Sequence, residues 1–278
     1  MKCFAINAGN FKLDGGAMFG VVPKSIWNKL NLADDKNLCS WATRCLLIQS
    51  NNELVLIDTG LGNKQDESFF KHYDRDPHQT WDQLLQPLGF QSSDITDIFL
   101  THLHFDHVGG ALLRSGDSII PTFANATYWS NEVHWNWAME PNVREKASFL
   151  KENLTPLSES GKLKFISEDH IPFDWMEIII VNGHTEHQML PLITTPEGKL
   201  FFAADLLPSA GHLPMPYVMS YDVRPLLTLQ EKETILNRAL VENWTIFLEH
   251  DPVNECIKLM QTEKGIRMEK AFALADWH

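Results

Sequence analysis

Apolar residues along the chain fall into short runs of strand length, separated by stretches whose apolar positions have helical spacing. Helical spacing covers residues 81–88, a segment that begins near residue 130, residues 141–156 and a segment that ends near residue 240. Because strands and helices alternate, the pattern predicts a layered α/β fold. Strand-like runs occur at residues 4–13, 43–49, 53–57, 98–100, 126–129, 163–166, 176–181, 200–204, 244–248, 257–261 and 266–272.

Turn-forming residues punctuate these runs and predict how neighbouring elements connect. Ser50-Asn51-Asn52 joins two runs as a hairpin, and Lys264-Gly265 joins the last two runs of the chain. Gly89 ends the helix that begins at Trp81, and Thr228-Leu229-Gln230-Glu231 fits a capping box ahead of the last helix. We expect loops at residues 14–20, 63–78 and 207–225.

Several strand-like runs end in a polar residue that can bind a metal ion or transfer a proton. In layered α/β proteins, strand ends and the loops that leave them bring side chains from separate parts of the chain to one crevice. Each such residue could also be a turn, cap or surface residue when taken alone. Their agreement predicts one shared site, built from Asp58, His102, His184, Asp205 and His250.

The densest group of metal-binding side chains lies in residues 101–110, directly after the run at 98–100. His102 and His104 are two positions apart, so in an extended chain their side chains point the same way and can bind one ion. Asp106 keeps this alternation but His107 does not. All four can serve one site only if the backbone leaves the strand there, and the two glycines that follow permit such a turn.

Imidazole nitrogens and a carboxylate oxygen suit zinc, iron, manganese or cobalt. The four cysteines (Cys3, Cys39, Cys45 and Cys256) are scattered without metal-ligand spacing, so we interpret them as ordinary thiols of a reducing compartment. The N-terminus lacks the basic and apolar segments of a secretion signal, and no apolar run has membrane length. We therefore expect a soluble cytoplasmic protein that does not bind a membrane.

The composition is that of a soluble globular protein, with 44% apolar and 21% charged residues. A length of 278 residues is near the upper end for one domain, and we predict a single domain over residues 1–278 with two halves. The formal net charge of −13 argues against a broad phosphate-binding surface. Nucleic acid is therefore not an expected partner, and we expect a small-molecule substrate.

The motifs resemble those of the metallo-β-lactamase superfamily. Thr-His-Leu-His-Phe-Asp-His at 101–107 follows Leu-Ile-Asp-Thr-Gly at 56–60 and precedes Gly-His-Thr at 183–185, an aspartate after an apolar run and a late histidine, in the superfamily's order. Residues 14–24 and the tyrosine-containing loop after Asp205 resemble the branch that holds quorum-quenching N-acyl homoserine lactonases and organophosphate hydrolases. The resemblance implies an αββα sandwich of two mixed β-sheets with helices on the outer faces.

The same resemblance implies a ligand set for two divalent metal ions per chain, zinc being the first choice and manganese, iron or cobalt the alternatives. Many relatives continue Gly-His-Thr-Pro-Gly-His, whereas this chain has His187 one place early, so no role is assigned to it. The implied first ion binds His102, His104 and His184, the second binds Asp106, His107 and His250, Asp205 bridges both, and Asp58 orients a ligand histidine.

The function implied is hydrolysis of a small ester or lactone, with an acyl homoserine lactone as one candidate. Two bridged cations lower the pKa of a shared water, so that hydroxide is available as the nucleophile at neutral pH. Asp106 is a candidate for orienting this water, and Tyr221 and His212 are candidates for donating a proton to the leaving oxygen. Packing of an irregular loop is an equally good interpretation of the last two.

Other functions stay open at this stage. The same hydroxide attacks phosphorus, so an organophosphate hydrolase acting on a phosphotriester is the main alternative. A non-catalytic metal-binding or sensor protein is the alternative from another class, although a complete ligand set disfavours it. Three interpretations stay open for the aromatic stretches Met18-Phe19 and His134-Trp135-Asn136-Trp137. Each stretch could form the wall of a substrate pocket, belong to the core or form the contact of a homodimer.

Overall fold

The computed structural model describes residues 1–167 and 170–278, and in it the chain divides into two compact units. Unit 1 contains Met1–Gly9 and Thr43–Pro172, and unit 2 contains Asn10–Ala42 and Phe173–His278. The sequence prediction of two halves agrees with this division. That the halves form a single domain remains a prediction.

Two six-stranded sheets and one two-stranded sheet make up the β-structure of the described residues. The first sheet has the order β1-β2-β3-β4-β7-β8, the second has the order β14-β13-β12-β11-β10-β9, and β5 pairs with β6. The strands are β1 (Lys2–Asp14), β2 (Leu38–Ser50), β3 (Glu53–Ile57), β4 (Asp97–Phe99), β5 (Leu112–Ser115), β6 (Ser118–Pro121), β7 (Thr127–Ser130), β8 (Leu163–Phe165), β9 (Met176–Val181), β10 (Gln188–Thr195), β11 (Gly198–Phe202), β12 (Thr245–Phe247), β13 (Cys256–Thr262) and β14 (Gly265–Phe272).

Helices connect and cover these strands, and most of them are short. Within the part of the chain that the structure describes, none has both the length and the apolar character needed to cross a bilayer. The α-helices are α1 (Gly15–Phe19), α2 (Lys24–Trp27), α3 (Glu67–Phe70), α4 (Trp81–Leu85), α5 (Phe105–Val108), α6 (Glu132–Met139), α7 (Lys151–Glu159) and α8 (Pro225–Val241).

In unit 1, neighbouring parallel strands end at the same level. β3 pairs parallel to β4 with Ile57 opposite Phe99, and β4 pairs parallel to β7 with Phe99 opposite Trp129. The apolar side chains of these strands, among them Leu56 and Ile98, are fully buried in the core of the unit. The segments that begin at Asp58 and at Leu100 therefore leave the sheet side by side, as parallel pairing requires.

In unit 2, three strands that point the same way end near residues that the sequence predicts to bind metal. β11 pairs parallel to β12 with Phe202 opposite Phe247, so the segments leading to Asp205 and His250 start together. β10 is antiparallel to both β9 and β11, so β9 runs in the direction of β11 and delivers His184 at the same end of the sheet. The strand ends therefore place these three residues at one end of the sheet, and that they belong to one shared site remains a prediction.

Most predicted strands are present, but several predicted loops and helix boundaries were wrong. The loop expected at 14–20 contains α1, because the Asp14 carboxylate caps it by accepting a hydrogen bond from the backbone N–H of Ala17 at 2.8 Å. The loop expected at 63–78 likewise contains α3. Of the helix expected over 141–156, only residues 151–156 are helical, as part of α7, which continues to Glu159. The helix expected to begin near residue 130 begins at Glu132, after its cap Asn131.

The predicted capping box at Thr228 was also wrong. α8 begins at Pro225, so Thr228 lies inside the helix, where its hydroxyl donates back to the Arg224 carbonyl at 3.4 Å. The Glu231 carboxylate instead accepts hydrogen bonds from the backbone N–H groups of Asn182 and Gly183, at 2.7 and 2.9 Å. A residue assigned to a local cap therefore holds the backbone that precedes His184.

Candidate metal centre

The histidine-rich motif of unit 1 changes conformation from strand to helix in the middle, as its sequence requires. β4 ends at Phe99, residues 100–104 continue as irregular backbone, and α5 begins at Phe105. The two glycines that follow are needed for close approach rather than for a turn. A Cβ at Gly109 would lie 2.0 Å from the carbonyl oxygen of Leu61, and one at Gly110 would lie 2.0 Å from that of Thr59.

His102 and His104 present one ring nitrogen each to a common point. The Nε2 atom of His102 lies 3.1 Å from the Nδ1 atom of His104, and both residues are buried. The opposite nitrogen of His104 lies 3.5 Å from the buried carboxylate of Glu145. Glu145 is held in turn by the indole N–H of Trp137, which donates to it at 2.8 Å. The far edge of His102 is held by the Thr101 hydroxyl, 3.1 Å from its Nδ1 atom, so one edge of each imidazole is fixed while the other edges converge, as in a chelating pair.

Asp106 and His107 form the second pair in this unit. The Nε2 atom of His107 lies 3.8 Å from an oxygen of Asp106, and its Nδ1 atom lies 3.0 Å from the Asp58 carboxylate. Asp58 is completely buried and accepts two further hydrogen bonds from Thr101, from the backbone N–H at 2.8 Å and from the hydroxyl at 2.6 Å. The predicted contact of Asp58 with a ligand histidine is therefore present.

We expect the variant Asp58→Asn to bind metal about 10–100-fold more weakly than the wild type, the range found when a partner of a ligand histidine is altered. Asparagine tolerates the left-handed backbone of this position (φ 57°), so the change removes charge and an acceptor without straining the chain. Competition against a chromophoric chelator measures the affinity. The exposed Asp117→Asn serves as the matched control, and equal affinities in the two variants would contradict the role of Asp58.

In unit 2, both oxygens of the Asp205 carboxylate face histidines. One oxygen lies 3.0 Å from the Nε2 atom of His184, and the other lies 2.9 Å from the Nε2 atom of His250. The far nitrogens are also held: the His184 Nδ1 lies 3.0 Å from the Asp222 carboxylate, and the His250 Nδ1 donates to the Ala42 carbonyl at 2.7 Å. This arrangement is that of a carboxylate able to bridge two cations, each with its own imidazole.

The charges around His184 favour a cation at this point. Burial on its own lowers the pKa of His184, but the carboxylates of Asp205 and Asp222 outweigh burial and raise it to about 10. The pocket therefore attracts positive charge, which a divalent ion can supply in place of the proton. With imidazole and carboxylate oxygen as donors, the residues of each unit taken by itself fit the chemistry of zinc or a similar ion.

The backbone that carries His184 is tightly enclosed. The guanidinium of Arg224 donates to the Asn182 carbonyl at 2.7 Å, next to the two N–H groups bound by Glu231. A Cβ at Gly183 would lie 2.5 Å from the backbone nitrogen of Thr228, so only glycine fits there without a backbone shift. Packing against α8 therefore requires a glycine at the first position of the Gly-His-Thr motif.

His212 was predicted as a proton donor, and its surroundings argue against that role. It is buried and stacked on Phe19 with ring centroids 4.4 Å apart, and its Nε2 atom lies 2.9 Å from the Met18 carbonyl, so that nitrogen carries the proton and donates it there. The other ring nitrogen lies 2.8 Å from the Ser209 hydroxyl. Burial, with a contribution from the charge of Lys232, lowers its pKa to about 4. We therefore assign His212 a structural role.

The remaining candidates divide between core and surface. Tyr221 is 38% exposed and stays a candidate proton donor. Phe19 is packed between Trp27 and His212 in unit 2, so this aromatic stretch is core. His134 accepts a hydrogen bond from the backbone N–H of Leu103 at 2.9 Å, so it supports the metal-binding motif from behind.

The sequence interpretation proposed the candidate ligands but missed the residues that orient them. Glu145 lies in a stretch interpreted as helical, and Asp222 lies in a stretch interpreted as loop, and neither carries a local signal. Each unit holds its own set of converging ligand atoms. That the two sets serve one pair of ions remains a prediction. The missed orienting residues are Thr101, His134, Glu145, Asp222 and Glu231.

Comparison with known proteins identifies a family. The model of the metallo-beta-lactamase superfamily matches residues 41–250. An N-acyl homoserine lactonase of Bacillus cereus is 23% identical over 215 residues, which cover 73% of this chain and 75% of that protein. A probable metallo-hydrolase of Mycobacterium bovis is 36% identical over 73 residues, so the chain matches only 24% of that relative's length.

Solved structures extend the similarity over nearly the whole chain. A probable metal-dependent hydrolase from Staphylococcus aureus superposes with a TM-score of 0.89 at 27% identity, covering 98% of this chain and 96% of the other. AidC, a dizinc quorum-quenching lactonase in complex with a product, superposes with a TM-score of 0.81 at 22% identity, covering 97% and 94%. The second similarity, at this identity, concerns the fold alone.

Proposed function

Because this chain belongs to the metallo-beta-lactamase superfamily and has its fold, we propose that it is a hydrolase with a dinuclear metal site acting on small esters or lactones. Membership of this superfamily and the similarity to hydrolases support a metal-dependent hydrolase. The number of ions and the bond cleaved are our inference. The number of ions is inferred from the geometry of the ligand residues in each unit, and the bond cleaved is inferred from the lactonase relatives.

One observation supports a dinuclear site most directly. The two oxygens of Asp205 lie 3.0 and 2.9 Å from two different imidazoles, and both imidazoles are fixed at their far nitrogens. A carboxylate that served a single ion would not need a buried histidine on each oxygen. In this proposal the first ion binds His102, His104 and His184, the second binds Asp106, His107 and His250, and Asp205 bridges them.

The proposed ions are two zinc ions, with manganese, iron and cobalt as alternatives that the same donors accept. When bound, such ions activate water as a nucleophile and stabilise negative charge on the substrate oxygens. The protein's own part is to keep each ligand histidine in one tautomer. Asp58, Asp222 and the Ala42 carbonyl do this for His107, His184 and His250.

Two further side chains have proposed roles in proton transfer. The Asp106 carboxylate is buried with its oxygen on the ligand side of His107, a position from which it can orient the attacking water by accepting a hydrogen bond. Tyr221 offers a phenolic O–H that can donate to the leaving oxygen as the bond breaks. The leaving group then departs as a neutral alcohol and the carbonyl carbon keeps the new hydroxyl.

The substrate class is proposed from the relatives. Lactonase relatives favour an acyl homoserine lactone, whose ring ester is cleaved by the addition of one water. An organophosphate triester is the second candidate, since the same donors suit attack at phosphorus. A non-catalytic metal-binding protein would share the ligand residues but would turn over neither compound.

The test is a rate assay of the metal-loaded protein on N-hexanoyl homoserine lactone and on an aryl phosphotriester, with proton release and phenolate release as readouts. We expect saturable lactone hydrolysis that is faster than phosphotriester hydrolysis. Turnover of the phosphotriester alone would replace the lactone with the second candidate. Stable binding of two ions without turnover of either compound would favour the non-catalytic alternative.

A further inference from the structure

Lys232 is a fully buried lysine in the middle of α8, with 0% of its surface exposed. Its ammonium lies among backbone carbonyls of one irregular segment, residues 212–217. It donates to the carbonyl oxygens of Pro214 at 2.9 Å and Tyr217 at 3.0 Å, to that of His212, and more weakly to that of Met215 at 3.4 Å. Four acceptors therefore surround a group that has three N–H donors.

Burying an ammonium group lowers the stability of the folded state unless its hydrogen bonds offset the loss of hydration. The hydrogen bonds of Lys232 must therefore stabilise the segment that accepts them. Burial lowers the pKa of Lys232 to about 7, and the negative charge of Asp222 opposes that effect. The segment 212–217 lies outside any sheet and cannot satisfy its carbonyls through strand pairing. An unpaired buried carbonyl is rare in folded proteins. The lysine ammonium thus takes the place that a bound monovalent cation or an ordered water would otherwise fill.

The segment held by Lys232 leads directly to a residue of the metal centre. Five residues after Tyr217 the chain reaches Asp222, whose carboxylate lies 3.0 Å from the Nδ1 atom of His184. On the way, the backbone N–H of Ser220 donates to the Ala17 carbonyl at 2.8 Å, and afterwards that of Val223 donates to the His184 carbonyl at 3.2 Å. The position of Asp222 therefore depends on how residues 212–220 are folded.

We propose that Lys232 is a positioning residue whose ammonium is the internal cation around which residues 212–217 fold, and that it thereby holds Asp222 against His184. The proposal deepens the proposed function, and only its kinetic consequence rests on that function. Lys232 does not contact any of the proposed metal ligands. It acts through the loop and through Asp222.

The first test compares Lys232→Met with the wild type, both metal-loaded. Methionine nearly fills the volume but removes the ammonium donor, and of the four carbonyls that of Pro214 still accepts a hydrogen bond from the backbone N–H of Tyr217 at 3.0 Å. We expect faster hydrogen–deuterium exchange confined to residues 207–225, and a decrease in kcat of about 10–100-fold, as for other changes behind a metal ligand. Glu233→Gln, at the neighbouring exposed position of the same helix, is the control and should leave exchange and kcat unchanged.

The second test is chemical rescue of Lys232→Ala. Propylammonium replaces the three carbons and the ammonium group that this truncation removes. The segment also lines a cavity of about 500 Å³ together with Asn237 and Arg267, which gives small solutes access to it. We expect propylammonium to raise the melting temperature of Lys232→Ala in a saturable way and to restore protection of residues 207–225. Tetramethylammonium has the charge but no N–H donor and should do neither.

These readouts separate the proposal from the proposed function. If the wild type hydrolyses no ester, the exchange pattern and the rescue of the melting temperature still decide whether Lys232 organises the loop. Wild-type exchange in residues 207–225 of Lys232→Met would overturn the proposal. So would an increase in exchange spread evenly over the chain, because that is the result expected of a residue that only contributes to general stability.

Discussion

Replacing Asp205 with alanine is expected to lower kcat/KM by roughly 10³-fold or more while leaving the fold intact. Loss of one electrostatic group from an active site already costs about 10²–10³ in rate. Asp205 contacts both His184 and His250, so its removal disturbs two ligand histidines together. Steady-state kinetics on the substrate that the wild type hydrolyses measures the effect, and circular dichroism checks the fold.

Two further variants make this test specific. Asp205→Asn keeps the shape of the side chain but offers an acceptor oxygen to only one of the two histidines, so we expect a loss of similar size. Asp174→Ala removes an exposed aspartate of the same unit and should behave as the wild type. Full activity in both Asp205 variants would refute the bridging role and the dinuclear proposal with it.

Removing the metal with a chelator is expected to abolish hydrolysis and to lower the melting temperature by roughly 10 °C. A ligand present at 1,000 times its Kd stabilises the folded state by about 4 kcal/mol, and each kcal/mol is worth roughly 2–4 °C in a chain of this size. The large effect follows from linkage: the ion binds buried carboxylates and imidazoles that only the folded chain brings together, so its removal takes the binding free energy away from the folded state. Differential scanning calorimetry of the stripped and zinc-reloaded protein measures the shift.

Elemental analysis of the reloaded protein should give two ions per chain. The control is His187→Asn, which removes the histidine that lies one place early in the motif. His187 has a left-handed backbone (φ 52°) that asparagine tolerates. We expect this variant to keep two ions. A content of one would show that His187 is a ligand, and fewer than two ions in the wild type would rule out the dinuclear site.

Regular parts of the fold followed from local sequence alone. The runs at 53–57 and 176–181 are strands with the predicted bounds, and Gly89 ends its helical turn with the left-handed backbone that glycine favours (φ 83°). The sequence missed β10, because seven of its eight residues are buried and it includes a proline, so no alternation marked it. It also missed short helices such as α1, which a single side-chain cap stabilises.

In the candidate site, too, some residues could be predicted from local sequence and others could not. The candidate ligands of unit 1 could be predicted because four of them lie within six consecutive residues, and the two-residue spacing of His102 and His104 predicts that their side chains point the same way. Their partners lie far along the chain: Asp58 is 49 residues from His107, and Asp222 is 38 residues from His184. Nothing in the neighbourhood of either aspartate reveals which imidazole it will hold.

The sequence by itself determined the chemistry of this protein: the donor types, their order along the chain and the strands that end in them. Those properties depend on residue identity and on backbone geometry over a few positions. Only the tertiary structure decided which nitrogen of each histidine is held, that Asp205 faces two imidazoles, that His212 is neutral and structural, and that Lys232 folds a loop around its charge. Each of these depends on groups that are distant in sequence, and their distances are set by how strands pair and side chains pack.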